Sequence, residues 1–355
     1  MMTDFSKINF ISSYEIAREC DVVYSELVTT EEFNNLELSN YYIISNIDGQ
    51  IFYKLKSVQL NENDTIFTNL SCVKSLFKLL DKVNLKNIKL ITAQSDEPIN
   101  YELFKSKPEC ISEWFSVNIN IDHPELRAFP LGISNSYSKK NLLKEHFLQH
   151  SKKNKIIQKE NLLYINFQIN TNDKVRSELY RHFEKKSWVK IESPNLELKD
   201  YLKSLSSSDF VLCPFGNGYD THRLWESLYA GAIPIVEKHP TFQETTSDLP
   251  VIIVEHFNEI NYEFLIEAKK YISKKRFNFD KLDKKYWISL FKEKQIDSHD
   301  SVNLNESYIL RLFEKIIFNI KRYKLRVLKK YRFRKNQIFT KFQNTFLSRS
   351  SSRLL

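Results

Sequence analysis

Glycine is scarce in this chain: five in 355 residues, at Gly49, Gly132, Gly216, Gly218 and Gly231. Three of the five fall within sixteen residues, which marks 216–231 as a place that needs unusual backbone geometry. The four cysteines, Cys20, Cys72, Cys110 and Cys213, lie far apart with no C-x-x-C pair. That spacing excludes a zinc ribbon and a disulfide framework, and it fits a reducing, cytoplasmic setting. No run approaches about 18 apolar residues, so a membrane-spanning helix is excluded. The first residues lack a basic region followed by an apolar run, so no secretory signal is expected.

What is present reads as a globular chain, 42% hydrophobic and 27% charged, long enough for two cores. The net charge of +9 is unevenly placed. Residues 321–355 hold 12 Lys/Arg and no Asp/Glu, while the other 320 residues hold 41 basic and 44 acidic side chains. The body is near neutral and the tail is a basic appendage, so a nucleic-acid-binding body is not expected.

Along the first part, short apolar runs at 41–46, 65–68, 88–92, 117–121 and 126–133 predict strands. Leu70 to Val83 has helical spacing. The alternation predicts a parallel sheet. A polar, Lys-rich stretch follows, and a boundary is expected near 135–158. The pattern restarts with strands at 162–167, 188–191, 210–214, 233–236 and 251–254. Helices are predicted at 173–186, 196–205, 221–230, 264–272 and 306–320. The fold class is α/β, with two doubly wound, Rossmann-like parallel sheets facing a cleft. The expected domains are 1–140, a linker 141–160, a second domain 161–320, and a basic helical tail 321–355.

The segment from Ser208 to Val236 carries the chemistry. It reads strand, glycine loop, helix, glycine turn, strand. The loop delivers flexible backbone to a helix N-terminus, where unpaired N–H groups and the helix dipole favour an anion. His222 and Arg223 occupy the first turn beside it. Glu226 lies one turn on, placed to accept from a ribose hydroxyl pair. Together Gly216, Gly218, His222, Arg223 and Glu226 point to a nucleoside diphosphate. The competing reading is an ordinary strand-to-helix turn, because the third glycine of a dinucleotide fingerprint is missing. Gly231 reads as a helix C-cap.

Across these thirty residues the chain resembles the exostosin-like glycosyltransferases. The matching positions are Cys213, Pro214, Gly216, Gly218, Arg223, Glu226, Gly231, Ile233, Pro234 and Ile235, with Ser227 in place of the usual alanine. Weaker echoes occur at 91–96, 114–118, 130–133 and 163–167 followed by Arg176. The resemblance implies a GT-B fold, with a nucleotide-sugar donor held by the C-terminal domain and a glycan or lipid-linked glycan acceptor on the N-terminal side. It implies that Glu226 binds the ribose and that Arg223 neutralises the diphosphate, helped by backbone N–H groups near Gly218. Asn166 and Arg176 would line the cleft. No D-x-D occurs, so no metal is expected. No Glu stands eight residues before Glu226, which favours inversion. The base is expected from the N-terminal side. Asp96 is the first candidate, its alternative role being the cap of the following turn or helix. Asp122 and His123 come next, although His123-Pro124 also reads as a plain turn.

His146 and His150 have metal-ligand spacing but sit in a polar stretch, which reads as a solvated helix face. Cys213 reads as a buried strand-end thiol. The tail mixes apolar and basic residues, and helical spacing puts Leu325, Leu328 and Tyr331 near one face. Docking on the inner face of an anionic membrane, packing on the body, contact with RNA and disorder all remain open for it. The functional expectation is a metal-independent glycosyltransferase in surface polysaccharide synthesis. The alternatives are a catalytically silent nucleotide- or glycan-binding protein and a nucleic-acid scaffold using the tail.

Overall fold

The computed structural model describes residues 8–138, 140–153, 157–292, 300–309, 311–312, 315–320, 323–324 and 327. Residues 1–304 form one compact unit and 305–355 another. The first unit contains two sheets.

The amino-terminal sheet is built from β1 (Val22–Thr29), β2 (Tyr41–Ile47), β3 (Gln50–Leu55), β5 (Thr65–Asn69), β6 (Ile88–Ala93), β7 (Ile111–Ser116) and β8 (Leu126–Ala128), while β4 (Ser57–Asn61) stands outside it. Its order is β2-β3-β1-β5-β6-β7-β8. β1, β5, β6, β7 and β8 run parallel, but β3 pairs antiparallel with both β1 and β2. The sheet is therefore mixed, not the purely parallel sheet expected. The cause is a hairpin at Asp48-Gly49, where both residues have positive φ (55° and 75°). Asp-Gly in a two-residue loop supplies the backbone twist that joins antiparallel strands. Two expected strands also move. Val117–Ile121 lies just past β7, and of the expected 126–133 only 126–128 is strand.

The second sheet contains β9 (Asn161–Ile165), β10 (Val189–Ile191), β11 (Ser208–Leu212), β12 (Ile233–Glu237) and β13 (Ile252–Val254). Its order is β10-β9-β11-β12-β13, all parallel. A further strand, β14 (Ser301–Asn305), pairs with β4. Two α/β sheets are thus present, the number expected. Helices fall where expected at Asp173–Phe183, Leu198–Ser206, His222–Tyr229 and Tyr262–Lys274. Asn261 starts the last of these by accepting from the Phe264 N–H. The Lys-rich stretch carries a helix at Lys144–Lys153.

The chain crosses between the sheets more than once. Ile8 and Phe10 are buried in the core of the second sheet, where Phe10 stacks on Tyr229 at 3.9 Å. In return the helix Lys284–Phe291 packs on the first sheet, with Trp287 and Phe291 buried among Phe115, Phe129 and Ile91. The crossing segments meet where Asn9 Nδ2 donates to Asp283 Oδ1 at 3.2 Å. The span expected as the second domain therefore contributes a helix to the first sheet's core. Among the described residues no helix is long and apolar enough to cross a membrane. The described residues between 308 and 320 are helical, and most of 321–355 lies outside the described residues, so the expectations for that tail are not addressed.

Candidate active site

In the second sheet the strand order reverses between β9 and β11. Connections leave in opposite directions there, the place beyond the carboxyl ends of the strands where open α/β sheets take ligands. The glycine loop follows β11 at that place, and Asn166 follows β9. The loops at the carboxyl ends of β6, β7 and β8 contact this region from the other sheet.

Gly218 shows how closely they meet. A Cβ built on it would lie 2.9 Å from Asn118 Nδ2 and 3.2 Å from the Asp96 carbonyl oxygen, so no side chain fits without displacement. Asn118 is buried and bridges the sheets. Its Oδ1 accepts from the backbone N–H groups of Tyr219 and Asp220, each at 3.0 Å, and its Nδ2 donates to the Ser95 carbonyl at 3.3 Å. The Gly216 N–H is turned inward to the Gly218 carbonyl at 3.0 Å. These three N–H groups are spent within the protein, so backbone donors for a phosphate must be sought elsewhere in the loop.

Arg176 lies under the loop. It is 4% exposed. Its Nε donates to the Phe215 carbonyl and its Nη2 to the Pro214 carbonyl, both at 2.9 Å. Its Nη1 donates to the Gln168 carbonyl at 2.8 Å. The rigid fork of a guanidinium suits this carbonyl-holding task. Burial, and after it the Arg223 charge, pulls Arg176 down to about 10. The residue expected to line the cleft instead shapes the loop. Asn166 is similar: its Nδ2 donates to the Ser193 carbonyl at 2.7 Å and ties β9 to the segment after β10.

The helix His222–Tyr229 starts at Thr221, whose side chain makes no capping hydrogen bond. His222 Nδ1 lies 2.8 Å from the Gly132 carbonyl oxygen and must donate to it. In the neutral ring Nε2 is then an acceptor, so His222 would bind an anion only when protonated. Arg223 is half-buried, and its Nε is buried without a hydrogen-bond partner. Its charge is felt by Arg176, Tyr164 and Tyr201. Among the described residues Arg223 forms no ion pair. The Arg223 charge reaches the buried Arg176 guanidinium. Such a pair of cations is costly unless an anion joins it. Glu226, 8% exposed, accepts from the Tyr201 hydroxyl at 2.8 Å through Oε2, which aims the carboxylate and leaves Oε1 for another donor. The Tyr164 hydroxyl and Glu192 Oε2 are also buried without a partner.

Asp96 is exposed, and its main chain packs against Gly218, so the structure brings it to the glycine loop. It does not cap the next helix. Asn100 does, accepting from the Leu103 N–H at 2.9 Å. His123 accepts from the Glu125 N–H and packs on Phe104, the turn role expected of it, and Asp122 beside it is exposed. His146 and His150 are not a solvated pair. His146 Nδ1 accepts from the Leu143 N–H, and His150 Nε2 bonds to the Ser206 hydroxyl. Among the described residues no group of three His, Cys, Asp or Glu side chains could hold a metal ion. Burial pushes the Cys213 thiol up to about 12, which removes it as a nucleophile. Gly231, with φ 74°, follows the C-cap Ala230 and ends the helix.

Asp220 was not singled out from the sequence. It is 5% exposed. Its carboxylate accepts from Trp225 Nε1 at 2.9 Å and from the Leu131 N–H of the other sheet's side at 2.9 Å. Burial nevertheless pushes the carboxyl up to about 7. Thr241 and Arg127 complete the junction. The Thr241 hydroxyl exchanges hydrogen bonds with the Ile119 backbone, and Arg127 pairs with Glu244.

Residues 164–309 match the model of a family described as the RXYLT1 C-terminal domain. Among curated proteins none matches this chain. Among solved structures, an α1,3-fucosyltransferase with GDP-fucose is 14% identical, with a TM-score of 0.31 over 66% of this chain and 71% of that one. A glycosyltransferase from Rickettsia africae ESF-5 is 12% identical, with a TM-score of 0.32 over 65% of this chain and 78% of that one. At this level of similarity no residue of those proteins maps onto this chain.

Proposed function

We propose that the chain is an exostosin-like glycosyltransferase that moves a sugar from a nucleotide-sugar donor to a hydroxyl of a glycan or lipid-linked glycan, with inversion and without a metal. The observation that carries this reading is the buried, unpartnered Arg223 Nε beside Arg176, at the carboxyl ends of β9 and β11. A donor diphosphate supplies an acceptor for that N–H group. Every proposed donor-side residue also lies within the matched span 164–309.

In this reaction the acceptor oxygen attacks the anomeric carbon and loses its proton to a base. The bond from that carbon to the diphosphate oxygen breaks, and the nucleoside diphosphate leaves with the electron pair. Arg223 stabilises the charge that develops on the leaving oxygen. Glu226, aimed by Tyr201, accepts from the ribose hydroxyls. Arg176 holds the Pro214 and Phe215 carbonyls away from the phosphates. Asp96 is the proposed base, because it is exposed and its main chain lies against the glycine loop from the other sheet's side.

The test is turnover of UDP-, GDP- and CDP-sugars in EDTA with mixed glycan acceptors, read as nucleoside diphosphate released. Arg223→Ala is expected to lower kcat about a hundredfold or more, with a smaller effect on donor affinity. A chain that binds a nucleotide-sugar yet releases no diphosphate would be a binding protein. Loss of affinity with unchanged kcat would remove Arg223 from the leaving-group role.

A further inference from the structure

We propose that Gln94 is a positioning residue that sets the place of Asp96; this rests on the assignment of Asp96 as the base. β6 ends at Ala93, and Gln94 follows it with φ 59°. Residues other than glycine rarely take this left-handed conformation, and one that does persists only where its neighbours hold it. The neighbours here are two strands of the first sheet. Gln94 Oε1 accepts from the Leu27 N–H at 2.8 Å, and Gln94 Nε2 donates to the Leu27 carbonyl at 2.9 Å. Nε2 also reaches Ser13 Oγ at 3.4 Å. Leu27 lies on β1, whose pairing with β5 ends at Ser25 and Thr68. Past that point the Gln94 amide stands where a further β5 residue would have continued the ladder. From β5 itself, Asn69 Nδ2 donates to the Gln94 carbonyl at 3.2 Å. Asn69 is 4% exposed, and its Oδ1 accepts from the Ser71 N–H at 3.0 Å, so it is fixed in turn.

The consequence falls on the next two residues. The left-handed residue turns the chain off the line of β6. Ser95 then offers its carbonyl to Asn118 Nδ2 at 3.3 Å, and the Asp96 main chain packs against Gly218. Among the described residues the Asp96 side chain makes no hydrogen bond and no ion pair. Its place is therefore set by its backbone, which Gln94 holds on one side and Asn118 on the other. A glycine at 94 would take the same φ without strain. It would also leave the Leu27 N–H and carbonyl without this partner and the turn free to move. The amide converts a permissive turn into a fixed one.

The experiment is a double-mutant cycle between positions 94 and 96, read as nucleoside diphosphate released from UDP-, GDP- and CDP-sugars with mixed glycan acceptors. Gln94→Met keeps the length of the side chain and removes the amide. Gln94→Gly also removes the amide and relieves the φ, so it serves where the first variant does not fold. Each is expected to lower kcat about tenfold or more, with donor KM held within about twofold, because the donor contacts come from the second sheet. Asp96→Asn is expected to lower kcat by itself, and adding Gln94→Gly to it should cost nothing further, because Gln94 acts through Asp96. Wild-type kcat in folded Gln94→Gly would overturn the inference, whatever the fall in thermal midpoint, since an amide that only closes the edge of β1 moves stability and not turnover. Additive losses in the double variant would overturn it too. Asp96→Asn at the wild-type rate would overturn the assignment of the base, and absence of turnover by wild type would overturn the proposed transfer itself; either result takes the role of Gln94 with it.

Discussion

Asn118→Ala tests whether the two sheets are held at the glycine loop as described. The side chain is 3% exposed, and three hydrogen bonds pass through it. Truncation strands the Tyr219 and Asp220 N–H groups and the Ser95 carbonyl. Each buried polar group left unpaired costs about 1–3 kcal/mol. The carbonyl bond, at 3.3 Å, is the weakest of the three and contributes least. A water entering the vacated space would recover part of the loss. The expected destabilisation is therefore about 2–4 kcal/mol. The assay is urea unfolding read through tryptophan fluorescence, with the m-value checked against wild type. Donor affinity should fall with stability, because the same contacts set the loop's path. Asn118→Asp should recover little, since a carboxylate accepts the two N–H groups but repels the Ser95 carbonyl and crowds the Asp220 carboxyl. A change below about 0.5 kcal/mol, the level of an ordinary surface substitution, would show that Asn118 does not hold the two sheets together.

Gly218→Ala is expected to abolish donor binding in a folded chain, because its Cβ would sit 2.9 Å from Asn118 Nδ2 and must push the two sides apart; calorimetry with the preferred nucleotide checks it. Tyr201→Phe is expected to weaken donor affinity about tenfold with kcat little changed, since the carboxylate loses the hydroxyl that aims it; KM and kcat measured separately test this. The Asp220 carboxyl, ordinarily at 3.8, is raised to about 7 in the folded chain. Between those values the folded protein holds a proton that the unfolded chain has released, so its contribution to stability falls as pH rises across that window. Asp220→Asn should carry a constant penalty and lack this slope. Parallel slopes for the two proteins from about pH 4 to 7 would contradict the assignment.

Much of the second sheet was legible because each strand is a short apolar run set between helices of regular period. The glycine loop was legible for the same reason: strand, loop and helix follow one another in the sequence. The first sheet was harder. Val22–Thr29 and Gln50–Leu55 alternate imperfectly, and the Asp48-Gly49 turn that pairs them went unread. Val-Asn-Ile-Asn-Ile at 117–121 has a strand's alternation, yet Asn118 is needed as a bridge to residues a hundred positions away. No local pattern reports such a partner. Arg176 marks a different limit. Its residue type suits a phosphate, but the carbonyls of Pro214 and Phe215 reach it first. The return of Lys284–Phe291 to the first sheet was likewise invisible, because a buried tryptophan does not say which core it fills.

In the proposed function the carboxyl ends of β9 and β11 hold a nucleoside diphosphate through Arg223 and Glu226. The measurement that tests it most directly is titration calorimetry of UDP, GDP and CDP into the full chain in EDTA, repeated with Arg223→Ala and Glu226→Ala. Wild type is expected to bind one nucleotide family saturably, with both variants folded and each weaker by about tenfold or more. Binding of equal strength in the folded variants would place the nucleotide elsewhere. No binding of any nucleotide to wild type would contradict the claim outright.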